Sequence, residues 1–93
     1  MNQQHDYQTR TATMADTDKL IREWEASPHK AHKIAAGIAR KIASGKMRRY
    51  EDFPLNSTLA DEYDASERTI SAAKSLLGDN GILKLENRRY YVA

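Results

Sequence analysis

The residues with the most chemistry in this chain lie in one stretch, Asp64 to Leu77, which reads DASERTISAAKSLL. Ser66, Glu67, Arg68, Thr69, Ser71, Lys74 and Ser75 are short or flexible polar groups, placed so that one helical face carries several of them. Arg68 can give two parallel hydrogen bonds to a guanine or contact a phosphate, and Glu67 can accept from cytosine N4. The hydroxyls of Ser66, Thr69 and Ser71 suit phosphates or bases. Ser66 also fits an N-cap and Thr69 an intrahelical back-bond. Lys74, one turn beyond Ser71, suits nucleic-acid backbone better than bases. A second group is Arg88 and Arg89, close to the C-terminus, whose guanidinium groups fit a narrow, electronegative minor groove. A third is Ser57 and Thr58, which at the start of a helix can offer N–H and hydroxyl groups to a phosphate. Lys46, Arg48 and Arg49 add non-specific attraction.

Catalytic and metal chemistry have little support. His29 and His32 stand three apart with no third ligand close in sequence. There is no cysteine and no Gly-rich phosphate loop, and no serine is paired with a histidine and an acid at a recognisable spacing. Asp61, Glu62 and Asp64 read as a solvated face. The chain is expected to be no enzyme and to need no cofactor.

The elements that position these groups follow from periodicity. Ile70, Ala73, Leu76 and Leu77 form one apolar stripe behind the polar face, Ser66 caps its start, and Asn80-Gly81 ends it. Upstream, Ser27-Pro28 signals a helix start, with Ser27 as N-cap and Pro28 at the first helical position, and the helix runs to about Ser44 with Ile34, Ile38 and Ile42 four apart. Gly45 ends it. Leu55 or Asn56 opens a short helix through Tyr63, with Leu59, Ala60 and Tyr63 inward, and Asp64-Ala65 makes the tight turn. Phe53, held extended by Pro54, plugs the core. Ile82, Leu83 and Leu85, then Tyr90, Tyr91 and Val92, read as two strands around a turn at Glu86–Arg89. Thr17 or Asp18 caps an extra helix to about Ala26, whose Leu20, Ile21 and Trp24 either close the core or meet a second copy. Residues 1–16 read as a disordered tail.

Ninety-three residues, 40% of them hydrophobic, allow one small core. The absence of cysteine fits the cytosol. No apolar run approaches the ~18 residues of a spanning helix. The net charge of +2 hides a local excess. Residues 28–50 hold seven Lys and Arg with no acid, whereas residues 51–93 hold five basic and eight acidic side chains. An anionic partner would require such a local block.

Helix, helix, tight turn, helix and hairpin is the order of a winged helix-turn-helix. The segments IARKIASGKM, FPLNSTLADEYDASERTISAAKSLLGDNGIL and YYV resemble the DNA-binding domain of GntR-type bacterial transcription regulators over Ile34 to Val92. Phe53-Pro54, Leu59-Ala60, Ser66, Thr69-Ile70, Ala73, Leu77, Gly81 and Val92 fall in register with that family's pattern. The departures are specific. Ser57, Glu67 and Ser71 stand where the family reads DNA with arginine, Arg68 stands at a variable position, and Asp64 replaces a turn glycine. The wing carries Asn87-Arg88-Arg89 in place of Gly-x-Gly.

The expected architecture is therefore α+β, mainly α with a small β-hairpin. Three core helices and a C-terminal wing occupy residues 28–93, and the extra N-terminal helix occupies residues 17–27. The resemblance implies a stand-alone, sequence-specific double-stranded DNA-binding regulator that acts by operator occupancy in the cytoplasm, on the nucleoid. A single winged helix offers few contacts, so a homodimer is expected, with Leu20, Ile21 and Trp24, outside the resembling stretch, as candidates for its contact. No small-molecule effector is expected, since the C-terminal sensing domain of GntR-type regulators is not in the chain. Two alternatives remain: a winged-helix protein-interaction module, and a plasmid or phage accessory factor that binds DNA.

Overall fold

The structure is a computed structural model and describes residues 14–48 and 53–93. Among these residues are helices α1 (Met14–Ala26), α2 (Lys30–Ala43), α3 (Asn56–Tyr63) and α4 (Glu67–Asp79), and an antiparallel hairpin of β1 (Leu83–Glu86) and β2 (Arg89–Val92). The mainly helical α+β class read from the sequence is the one observed. Most of the expected tail, residues 1–13, lies outside the described residues, as do Arg49 and Tyr50. Met14 to Asp16 are already helical, so Thr17 and Asp18 are interior to α1 and neither is its cap.

One core joins all four helices and the hairpin. From α2 come Ile34, Ala35, Ala36, Ile38 and Ala39, with Ile42 half-buried at the edge. Leu59 of α3, Ile70, Ala73 and Leu77 of α4, and Leu83 and Val92 of the hairpin complete the centre. Phe53 and Met47 pack against it from the connector. The alanines of α2 let its neighbours approach closely. At Gly37 a Cβ would stand 3.2 Å from the Tyr63 Oη and 3.3 Å from Cε1, so the ring lies against α2 where there is no side chain.

Of the two places open to the apolar face of α1, the structure puts it in the chain's own core. Ile21 is 2% exposed and Trp24 6% exposed, both inside the chain's own core, and Leu20 is half-buried against that core. The physical reason is α2. Its small residues leave room for a large ring, and α1 fills it.

Three helices end in the same way. The backbone N–H of Lys46 reaches Lys41 O (2.9 Å), that of Ala65 reaches Ala60 O (2.9 Å), and that of Ile82 reaches Leu77 O (2.9 Å). Each is the long closing bond of a Schellman motif, which needs one left-handed residue just before the donor. Gly45 (φ 83°), Asp64 (φ 53°) and Gly81 (φ 75°) hold those places. Aspartate tolerates the left-handed region better than most side chains. The turn between α3 and α4 is thus as short as the sequence implied.

At the start of α2 the structure differs from the expected cap. The cap residue is His29, whose carbonyl accepts from the N–H groups of His32 and Lys33. Ser27 sits outside, its hydroxyl accepting from the His29 N–H at 3.1 Å. This is the local turn that serine forms two residues ahead of a donor. It aligns the chain for the helix from one step further back.

The hairpin turn is tighter than the four residues expected. Glu86 pairs with Arg89 as the last rung, and Asn87 (φ 51°) and Arg88 (φ 66°) alone make the turn. Positive φ at both central residues is the type I′ arrangement, whose twist matches that of the strands.

The cations of α2 hold the helices together. The Arg40 guanidinium grips the Glu25 carboxylate through Nε and, at 2.9 Å, through Nη2. Lys33 Nζ donates to Glu25 O at 2.9 Å, Lys41 pairs with Glu62, and Lys30 donates to Asp64 O. The hydrogen bond from Arg40 holds the Glu25 pKa below the ordinary carboxylate value. A carboxylate lowered in this way contributes stability above its unfolded pKa, about 4.3. That contribution is lost as pH falls through the folded value. Glu25→Gln should therefore melt with a shallower dependence on pH below about pH 4.3 than the wild type, and this is checked by thermal melts in steps across the acid range. Both groups are exposed, so the difference should shrink as salt is added.

Candidate nucleic-acid interface

Helix α4 is anchored at its start by Ser66. Its hydroxyl accepts from the Thr69 N–H at 3.1 Å and lies 2.9 Å from the Thr69 hydroxyl. These two side chains therefore serve the cap and each other, and their role is to aim the helix. With Ile70, Ala73 and Leu77 pinned in the core, the residues at the opposite angle must face out. Arg68, Ser71, Ala72 and Ser75 are exposed. Arg68, Ala72 and Ser75 follow one another at helical spacing, so a guanidinium stands at the head of a crest made of small side chains. Arg68 has no hydrogen bond or ion pair with any described residue.

Lys74 departs from the expected outer face. It is 8% exposed, its ammonium donates to Pro54 O at 3.1 Å, and it lies 5.2 Å from the centre of the Phe53 ring. Burial pushes its pKa down. The lysine stem covers apolar surface while its head reaches back to the connector.

Helix α3 and the hairpin flank α4 and make a groove of about 550 Å³ with it. Ser57 lines the groove from the first turn of α3, Glu67, Ser71 and Lys74 from α4, and Arg88 and Arg89 from the hairpin. Three sequence-distant groups with candidate chemistry thus meet in one place. Asn56, at the head of α3, donates from Nδ2 to the Ser71 hydroxyl at 3.0 Å and ties the two helices at the groove wall. Glu67 stands in the first turn of α4, where a carboxylate favours the helix N-terminus. Thr58 is exposed beside Ser57 on α3. The hairpin is held over α4 by Tyr90, whose Cε1 lies 3.3 Å from where a Cβ of Gly78 would be.

The connector cations are not part of this groove. Lys46 lines a separate cleft between α1 and α2, beside Asp18 and Ile21. Arg48 is exposed and has a partner of its own. Arg49 lies outside the described residues. The local excess of charge expected to attract an anion is mostly internal bracing, since Lys30, Lys33, Arg40 and Lys41 all bind backbone or carboxylate groups of the same chain.

Asn56 and Ala72 were missed as members of this face. Ala72 was readable, since it lies four residues after Arg68. The partner of Asn56 is fifteen residues away, and only the packing of α3 on α4 reveals it.

The two hairpin arginines differ. Arg89 is in a strand, opposite Glu86, and is engaged in an interaction. Arg88 is exposed at the turn, has no partner among the described residues, and sits in a left-handed conformation that costs a non-glycine residue about 1 kcal/mol. Arg88→Gly should therefore raise the unfolding free energy by about 1 kcal/mol, as read by denaturant titration, and should weaken any ligand that the guanidinium touches.

No family model, no curated protein and no solved structure matches this chain. No helix of the described residues is long and apolar enough to cross a membrane. No group of three or more His, Asp or Glu suited to a metal ion occurs among them.

Proposed function

We propose that this protein binds double-stranded DNA in a sequence-specific manner and regulates transcription by occupying its site, in the cytoplasm. The fold is read as a winged helix-turn-helix in which α3 and α4 form the helix pair, α4 enters the major groove and the hairpin is the wing. The observation that carries this reading is the convergence of the first turn of α3, the outer side of α4 and the arginine-tipped hairpin around one groove. The crest of α4 supports it further. Small side chains at Ser71, Ala72 and Ser75 let a helix lie deep in a groove, and Arg68, which has no partner among the described residues, is placed to receive a base. Arg88 then follows the backbone or the minor groove. The GntR-like residues are consistent with this arrangement. The changes at Ser57, Glu67 and Ser71 imply a site different from that family's usual operators.

A selection of bound duplexes from a random-sequence pool, followed by salt titration of the enriched site, tests the proposal. About five phosphate contacts give a log–log slope near −4 to −5. An enriched palindrome places two copies on the site, and a non-palindromic site one. No enrichment, with weak binding to every duplex, removes the reading. One observation favours a second reading, a protein-docking module. Leu55 is 68% and Leu85 58% exposed, and Leu55 lines the groove. In that case Leu55→Ser would abolish capture of the partner while leaving duplex binding absent in both proteins.

A further inference from the structure

Lys74 is the one buried charged residue among the described residues. Placing a cation out of water is costly unless an opposite charge or several hydrogen bonds compensate it. Here the compensation is partial. One N–H of the ammonium goes to Pro54 O, the Phe53 ring lies 5.2 Å away, and no carboxylate of the described residues lies within ion-pair distance. The nearest acid in sequence on the same side of α4 is Glu67. It is seven residues earlier, or about 10 Å along the helix axis, and it is exposed at the groove's edge. A leucine or methionine would fill the same space at less cost, so a function other than packing is indicated for the charge.

The surroundings say what would balance it. Lys74 lines the groove, with two N–H groups left for another acceptor. Ser57 and Ser75 line the same groove and are exposed, so their hydroxyls can donate into it. Arg88 lines it from the hairpin, without a partner among the described residues. One sheltered ammonium, one exposed guanidinium and several hydroxyls form a donor set for a tetrahedral oxyanion.

We infer that the groove between α3, α4 and the hairpin is a phosphate-binding site, with the Lys74 ammonium at its floor and Arg88 at its rim. The inference rests on the DNA-binding reading only for the source of the phosphate. A backbone phosphodiester of a bound duplex and a free phosphorylated small molecule present the same oxygens. In the second case the small molecule would compete with DNA for the same groove and make DNA binding respond to its concentration.

The experiment uses the full chain and three probes: inorganic phosphate, a deoxynucleoside 5′-monophosphate, and the duplex enriched in the selection. Amide chemical shifts follow the first two, and equilibrium binding at several salt concentrations follows the third. Two variants are compared. Lys74→Met keeps the length and apolar stem but removes the charge. Ser75→Glu leaves Lys74 in place, changes only an exposed position, and puts a carboxylate into the groove. The expected result is saturable binding of at least one probe that is weakened at least tenfold by each variant. If the duplex is the probe affected, its salt slope should also fall by about one in Lys74→Met, which assigns the phosphate to the DNA backbone. If the nucleotide is lost while duplex affinity holds, the source is a small molecule. Binding of the nucleotide through Lys74 in a protein that selects no duplex would uphold the site and end the DNA-binding reading. Should Lys74→Met not fold, Ser75→Glu decides through inorganic phosphate and the nucleotide, because a carboxylate on the α4 crest weakens the duplex in either case. The inference is overturned if no probe binds, or if affinities for all three are unchanged in the folded variants. Lys74 would then be only a strap holding the connector to α4.

Discussion

Trp24→Ala should lower the unfolding free energy by about 3–5 kcal/mol. That is a large fraction of the 5–15 kcal/mol typical of a small domain. The indole is 6% exposed and lies in the core with Ile21 and the α2 residues, so truncating it leaves a cavity that α1 can close only in part. Denaturant unfolding followed at several protein concentrations is the measurement. An intramolecular core gives a midpoint that does not move with concentration, in the wild type and in the variant alike. A midpoint that rises with concentration in the wild type, and no longer does so in the variant, would mean that Trp24 lies between two copies. Such a result would contradict the burial seen within one chain.

Arg68→Ala should relax preference at one base position of the enriched site by ~1–3 kcal/mol, because a guanidinium that donates two bonds to guanine discriminates by that much. Stability should stay within about 0.5 kcal/mol of wild type, since the side chain is exposed and no described residue depends on it. The comparison is between the best duplex and its single-base variants. A loss confined to one position identifies a base contact. An equal loss on every sequence, together with a smaller salt slope, makes Arg68 a phosphate contact. Unchanged binding takes it out of the interface and leaves Arg88 and the groove as the only candidates on this face.

The parts of the structure that were readable in advance have local causes. Ser66 caps α4 because a serine with extended backbone just ahead of a helix brings its hydroxyl within reach of the N–H three residues on. The stripe of Ile70, Ala73 and Leu77 faces inward because helical geometry puts those positions at one angle. Asp64, Gly45 and Gly81 close helices because few other residues accept a left-handed conformation there. The hairpin follows from alternating apolar residues around Asn87. Even so, the two-residue turn that puts Arg88 at positive φ needed the strand register.

What was not readable depended on which surfaces meet. Trp24 fitted a core or an interface equally well as a sequence. Its burial was decided by the packing of α1 on α2. The basic block of residues 28–50 looked like an anionic partner's landing site, but the carboxylates of Glu25 and Glu62 come from helices before and after it in the chain. Whether a cation is engaged or available is a property of neighbours within a few ångströms, and sequence spacing does not carry that distance. Lys74 shows the same limit. By helical angle it sits between the buried stripe and the outer crest, and the connector folding back through Phe53 and Pro54 tipped it inward. The sequence by itself determined the elements, the helix ends that Gly45, Asp64 and Gly81 close, and the α+β class, because backbone sterics and local hydrogen bonds act within a few residues. The tertiary structure alone decided which charges brace the fold and which line the groove, because Coulomb and desolvation terms depend on distance and burial once the helices have packed.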